Sequence, residues 1–274
     1  MLTYPQIDPI IFSVGPLAIR WYGLMYVLGF AASYFLVKKQ ILEHRQKDLA
    51  ARFDDLNLIL ILAVVLGGRL GYVLFYNPGY YLGHPTEIIA TWQGGMSFHG
   101  ACLTLFLAGW WFCRRHRLDF WIAADLYAAT VPIGLGLGRL GNFINGELYG
   151  RLSDAPWAMV FPGGGPLPRH PSQLYEALLE GVLLFLLLWL NRQKPWRGGS
   201  PGSPGGAWPH GAISALFLIG YGLIRIFVEN FREPDAQLGF LFGMVTMGQL
   251  LSGGMICCGL GIWWQRRRVG AARR

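Results

Sequence analysis

Apolar residues run with little polar interruption through seven stretches of the chain, near 15–37, 54–76, 97–113, 119–141, 172–190, 211–231 and 238–264. A helix of about 20 apolar residues crosses the hydrocarbon core of a bilayer. The pattern therefore predicts an all-α integral membrane protein with seven transmembrane helices, one polytopic domain over residues 1–274. Residues 77–96, with Pro78, Gly79 and a helical stretch near Thr86–Trp92, predict an arm outside the membrane. Residues 142–171, with the run Pro162-Gly163-Gly164-Gly165-Pro166, predict a head segment on the same side. Residues 191–210 read as a flexible loop on the opposite side, because Gly198–Gly206 (GGSPGSPGG) has linker composition.

Charge fixes the orientation. The chain is 53% hydrophobic and 14% charged, against about 25% charged in an ordinary soluble domain. Of its 23 basic residues, sixteen fall in four polar segments: Lys38 to Arg52, Arg114 to Arg117, Arg192 to Arg197, and Arg266 to Arg274. Short cytoplasmic loops carry the Lys/Arg excess, so these segments are expected inside the cell, with the N-terminus outside and the C-terminus cytoplasmic. The net charge of +8 is then a topology signal. A nucleic-acid reading would need that charge on a soluble face. No basic region precedes the first apolar run, so that span is expected to stay rather than be removed as a signal peptide. Cys102, Cys113, Cys257 and Cys258 fall in or at the ends of apolar runs, which suits buried packing better than a disulfide framework or a metal site.

The other seven basic residues are all arginine: Arg20, Arg69, Arg139, Arg151, Arg169, Arg225 and Arg232. Charge inside a span is costly and marks a pathway, a cavity or an internal pair, and arginine offers a fork that matches phosphate oxygens. Arg20, before Trp21 and Tyr22, reads equally as an interfacial snorkelling residue. Arg69 reads equally as a buried structural pair. Arg139 has Asn142 on the same helical face, with Asn145, Glu147 and Arg151 close behind. Arg225 has Tyr221 and Glu229 four residues to either side, so an ion pair within the helix competes with a substrate contact. His99, in GGMSFHG, stands near the outer start of the third stretch, at the depth of Arg139 and Arg225. PRHPSQLYE adds Arg169, His170, Gln173, Tyr175 and Glu176 at the start of the fifth.

Small residues need separate treatment. Gly67 and Gly71 have the spacing that lets membrane helices approach closely. Gly136, Gly138 and Gly141 match G-x-G-x-x-G, but no βαβ unit surrounds them, so a dinucleotide site is rejected. Two function classes then remain: an enzyme acting on an anionic lipid head group at the outer leaflet, and a transporter of an anionic substrate. A transporter favours an internal repeat and broken helices near the midplane. The chain has no such repeat, and it lacks both a G-x-S-x-G nucleophile motif and an H-E-x-x-H metal pair.

RWYGLMYVLGF, LGGRLGYVLFYNP, GGMSFHG, GRLGNFINGELYGR, PRHPSQLYE and GYGLIRIFVENFREPDAQLG follow one another along nearly the whole chain. In that order they resemble the phosphatidylglycerol–prolipoprotein diacylglyceryl transferase family. The resemblance implies a multi-pass transferase of the bacterial inner membrane, with its active site towards the periplasmic leaflet. Its partners would be phosphatidylglycerol and preprolipoprotein signal peptides with a lipobox cysteine. Diacylglycerol would pass to the cysteine thiol as a thioether, glycerol phosphate would leave, and lipoprotein maturation would begin. Neither metal nor organic cofactor is implied, and no nucleic acid. Residue by residue, the resemblance assigns catalysis to His99, Arg139, Asn142, Tyr221 and Arg225. It assigns phosphatidylglycerol binding to Arg139, Arg225, Tyr22, Glu147, Gly150 and Arg232. The bridge from the glycine-rich loop to PRHPSQLYE, Phe161 to Leu167, is shorter than in some members of the family.

Overall fold

The computed structural model describes residues 2–15, 17–91, 94–197, 208–233, 240–241 and 245–272. Gly198–Gly206, Trp92, the start of the predicted seventh span, Arg273 and Arg274 lie outside the described residues. Along the chain come β1 (Ile10–Val14), β2 (Leu17–Arg20), α1 (Trp21–Glu43), α2 (Lys47–Ala50), α3 (Phe53–Phe75) and α4 (Pro78–Gly83). A 3₁₀ turn at Pro85–Ile89 leads to α5 (Phe98–Arg115), α6 (Phe120–Ala128), α7 (Val131–Ile144) and α8 (Ser172–Glu176). A π-helical segment (Ala177–Leu183) then joins α8 to α9 (Leu184–Asn191), and a second 3₁₀ turn occupies Lys194–Trp196. The described chain ends with α10 (Ala212–Val228), β3 (Phe240–Leu241), β4 (Val245–Thr246) and α11 (Met247–Ala272). The protein is thus a mostly helical membrane protein. Phe53–Phe75, Phe120–Ile144 and Ser172–Trp196 are long and apolar enough to cross a bilayer, and Ala212–Val228 is a shorter apolar helix.

Two expectations need correction. The first apolar stretch is not helical from residue 15: residues 10–20 form an antiparallel hairpin, and the helix begins at Trp21. Gly15 turns the chain with φ +58°, and the branched and aromatic residues on either side suit a pleated ribbon. Residues 240–241 and 245–246 likewise pair as short strands, and the last helix starts at Met247 rather than at 238. The fold is therefore not purely α.

The chain divides into two compact units, Ile41–Ala123 and the remainder. In the first, α3 and α5 touch through small residues. A Cβ on Gly71 would stand 2.8 Å from the Gly100 Cα and 3.0 Å from the Ser97 Cβ, and Gly67 abuts Thr104. The Thr104 hydroxyl, brought against α3, donates to the Ala63 carbonyl at 2.7 Å. Arg69 is buried and spends its fork on backbone: Nε donates to Ile88 O (2.8 Å), Nη2 to Glu87 O (2.6 Å) and Nη1 to Gly94 O (2.6 Å). Its role is to tie the segment after α4 to α3.

In the second unit α7 meets the π segment glycine to glycine. A Cβ on Gly181 would lie 2.7 Å from the Gly136 Cα, and one on Gly136 would lie 3.0 Å from the Gly181 Cα. Helix α10 is capped by buried Asp125, which accepts from Gly211 N (2.7 Å), Ser214 N (2.8 Å) and the Ser214 hydroxyl (2.9 Å). A carboxylate there meets the positive end of the helix. The head packs Tyr4, Met159 and Phe161 against Phe143 and Tyr149, and paired backbone at Gly150/Arg232, Leu152/Arg169 and Met159/Arg169 stitches it together. The short glycine bridge is closed by Tyr149, whose hydroxyl donates to Gly163 O at 2.5 Å, and by Arg169, whose Nε donates to Gly164 O at 2.9 Å. All four cysteines are free, but only Cys113 is buried, so packing explains that one alone.

The Gly136–Gly181 contact sets how closely α7 approaches the acids of the π segment. Gly181→Leu is expected to push the two helices apart and lower the thermal midpoint of the purified protein, with loss of activity. An unchanged midpoint and activity would show that this contact positions nothing.

Candidate active site

Three arginines and three glutamates from the second unit meet at one place. Arg139 comes from α7, Glu176 ends α8, and Glu180 lies one turn on, within the π segment. Arg225 comes from α10, with Glu229 at its C-cap and Arg232 three residues beyond. π-helical turns are rare and recur at functional sites; this one carries a fully buried acid, Glu180. The charges cancel, 3 − 3 = 0, as low-dielectric surroundings require.

Glu176 holds the directed contacts. Its Oε2 accepts from Arg225 Nη1 at 3.0 Å and pairs with Arg139 Nε at 2.7 Å, and its Oε1 accepts from Arg232 Nη1 at 2.7 Å. Glu180 lies farther from the same groups, 3.8 Å from Arg139 Nε and 3.6 Å from Arg225 Nη1. Glu229 takes the other arm of Arg225, Nη2, at 3.0 Å and accepts from the Thr246 hydroxyl at 3.0 Å. The side chains of Glu176 and Glu180 have no exposed surface, whereas Arg139 is 21% exposed and Arg225 13%. The carboxylates form a floor and the arginines lie above it. Among the described residues, Arg139 uses only Nε, so its two terminal nitrogens remain for an anion.

A second polar knot follows α7. Buried Asn142 donates to Glu147 Oε1 at 2.9 Å, and Asn145 donates to the same oxygen at 3.1 Å. Gly146 and Leu148 take positive φ around it, 67° and 58°. Tyr22 packs on Gly141, where a Cβ would approach its ring to 2.8 Å, and its hydroxyl lies 3.1 Å from that of Tyr26. Arg139 and Glu147 both act electrostatically on Tyr26, so knot and cluster share one neighbourhood. Tyr221 lines it from α10, stacked on Phe217, and feels the charges of Glu180 and Arg225.

Gly150 and Arg151 act on the frame. Gly150 N donates to His170 O at 2.9 Å, and a Cβ there would collide with the Phe231 carbonyl, so only glycine lets the strand pass. Arg151 donates from Nε to Arg232 O at 2.7 Å and from Nη2 to Glu229 O at 3.4 Å, clamping the segment that carries both charges. Arg169 pairs with half-exposed Glu233 at 2.9 Å. Burial lowers the His170 pKa despite the pull of Asp154, and the ring Nδ1 lies 3.1 Å from the Tyr175 hydroxyl.

Of the residues singled out from the sequence, Arg139, Asn142, Glu147, Tyr22, Tyr221, Arg225, Gly150 and Arg232 thus belong to one unit. His99 belongs to the other unit: it is exposed, second in α5, with its ring against Phe98 and the Ser97 hydroxyl capping the helix at Gly100 N. Arg20 is exposed at the end of β2. Sequence reasoning missed Glu180 altogether and took Glu176 only as part of a motif. The signal was present, because an acid inside LYEALLEGVLL costs as much as an arginine.

Fold and site together define a helical membrane protein built around a buried arginine–carboxylate cluster with arginine nitrogens left over. The family model described as prolipoprotein diacylglyceryl transferase matches residues 9–265, and the chain belongs to that family. It is 62% identical over 264 residues to the phosphatidylglycerol–prolipoprotein diacylglyceryl transferase of Desulfotalea psychrophila, covering 96% of this chain and 95% of that one. The proteins of the same name from Pseudomonas paraeruginosa and Geobacter sulfurreducens are each 50% identical, covering 99% and 98% of this chain and 98% and 100% of theirs.

Proposed function

We propose that this chain transfers the diacylglyceryl group of phosphatidylglycerol to the lipobox cysteine of preprolipoproteins, the first step of lipoprotein maturation. On this reading the chain crosses the inner membrane seven times, with its N-terminus in the periplasm, its C-terminus in the cytoplasm and the arginine cluster towards the periplasmic leaflet, in keeping with the basic loops. The carrying observation is the pair Arg139 and Arg225: both are ion-paired to buried carboxylates, and among the described residues the terminal nitrogens of Arg139 make no hydrogen bond.

The chemistry follows from what the reaction demands. The cysteine sulfur forms a bond to the terminal glyceryl carbon, the carbon–oxygen bond to phosphate breaks, and glycerol phosphate leaves with the electron pair. Arg139 and Arg225 bind the phosphate and stabilise the charge that grows on it as the bond breaks. The floor of Glu176 and Glu229 keeps both forks oriented before the lipid arrives, so little reorganisation is left for the reaction. Asn142 and Tyr221 supply further hydrogen bonds, and Tyr22, Glu147, Gly150 and Arg232 shape the lipid site.

The reaction also needs an acceptor for the thiol proton; the resemblance assigns catalysis to His99, and general-base catalysis is worth about 10² to 10⁴ in rate, while an arginine field that lowers the thiol pKa is the alternative. His99→Gln is expected to cut kcat while sparing the KM for phosphatidylglycerol. An unchanged kcat would remove His99 from that role.

The test of the function is transfer of labelled diacylglycerol from phosphatidylglycerol to a lipobox-cysteine peptide by the purified protein, beside a cysteine-to-serine peptide. Thioether product from the cysteine peptide alone is expected. No product from folded protein that still binds the lipid would overturn the proposal.

A further inference from the structure

Glu180 is the one acid of the cluster without a directed contact. Its side chain has no exposed surface, and among the described residues neither carboxylate oxygen receives a hydrogen bond. An ionised carboxylate in that state is held only by nearby positive charge, since desolvating it costs several kcal/mol. That charge is Arg139 Nε at 3.8 Å and Arg225 Nη1 at 3.6 Å, both of which lie closer to Glu176, at 2.7 and 3.0 Å.

Resting on the reading of Arg139 and Arg225 as the phosphate grip, we infer that Glu180 is a positioning residue that takes up one proton when a phosphate-bearing lipid engages those arginines. The cluster is neutral before the lipid arrives, and a phosphodiester adds one negative charge. The groups facing Glu180 leave few places for a compensating proton. Glu176 stands on the preceding turn, Arg139 on α7, Tyr221 and Arg225 on α10, and Arg232 beyond it. The arginines are already protonated and stay so. Glu176 is fixed by contacts from three arginines, and Glu229 by Arg225 and Thr246. The phosphate draws the same guanidinium charge that balances Glu180, so the proton goes to the acid held least. A neutral Glu180 then leaves both forks fully committed to the lipid.

The test is calorimetric titration of the detergent-solubilised wild-type protein with short-chain phosphatidylglycerol at pH 8, in two buffers of different ionisation enthalpy. Dioctanoylglycerol, which lacks phosphate, is the control. About one proton taken up per phosphatidylglycerol and none for the control is expected. By linkage, one proton makes the affinity fall about tenfold per pH unit. In Glu180→Gln, which is neutral throughout, uptake should vanish, and the lipid should bind at pH 8 at least as tightly as to wild type, with little dependence on pH. Phosphatidylglycerol binding to wild type without proton uptake would overturn the inference while leaving the phosphate grip intact. So would a Glu180→Gln protein that keeps the uptake, or one that binds the lipid more weakly at every pH, which is the mark of a purely structural acid. Phosphatidylglycerol binding no tighter than dioctanoylglycerol would instead remove the phosphate grip, and this inference with it.

Discussion

Arg225→Lys is expected to lower kcat for diacylglyceryl transfer by about 10² to 10³ in a protein that still folds, the usual effect of losing one preorganised donor to a developing anion. The geometry makes this substitution non-conservative. Arg225 reaches Glu176 with Nη1 at 3.0 Å and Glu229 with Nη2 at 3.0 Å, two contacts in one rigid plane. A lysine ammonium is a single point on a flexible stem and cannot serve both acids and a phosphate as well. The variant keeps the positive charge, so the cluster stays neutral and loss of folding is the smaller hazard. Steady-state kinetics with phosphatidylglycerol and a lipobox-cysteine peptide, on protein with an unchanged thermal midpoint, reads the effect. Near-normal kcat would mean that Arg225 supplies charge only and that its fork is dispensable.

Glu176→Ala is expected to give the largest loss of stability. Glu176 is fully buried and receives Arg139, Arg225 and Arg232 within 3.0 Å. Its removal leaves three guanidinium groups over two remaining carboxylates, and breaking a buried ionic network by deleting one partner costs about 3–5 kcal/mol. For a chain of this size that lowers the thermal midpoint by on the order of 10 °C. Glu233→Gln is the control, because Glu233 is half exposed and its pair with Arg169 lies where salt bridges contribute about 0–1 kcal/mol. Equal shifts for the two variants would show that the cluster does not hold α7, α8 and α10 together.

The sequence disclosed one half of this site and concealed the other. Arg139 with Asn142, and Arg225 with Tyr221 and Glu229, stood out because helical spacing places them on common faces and charge within apolar runs is rare. The competing structural reading of Arg225, an ion pair with Glu229, is found at 3.0 Å; the substrate-contact reading belongs to the proposed function. The acids were harder to see. Glu180 sits in a π-helical turn, and its partners are 41 and 45 residues away (180 − 139 and 225 − 180), which no local spacing reports. Arg69 could not be resolved from sequence because its partners are backbone carbonyls after α4 rather than side chains. The hairpin at residues 10–20 was hidden because its apolar strands run without a break into α1, and only Gly15 and Pro16 punctuate them.

The central claim is that the cluster holds phosphate as a leaving group while sulfur attacks carbon. The most direct measurement is mass spectrometry of both products after the purified protein acts on phosphatidylglycerol and a lipobox-cysteine peptide. The expected products are a peptide heavier by one diacylglyceryl group and free of phosphorus, and one glycerol phosphate released per thioether formed. Phosphorus on the peptide, or release of free glycerol in place of glycerol phosphate, would contradict it.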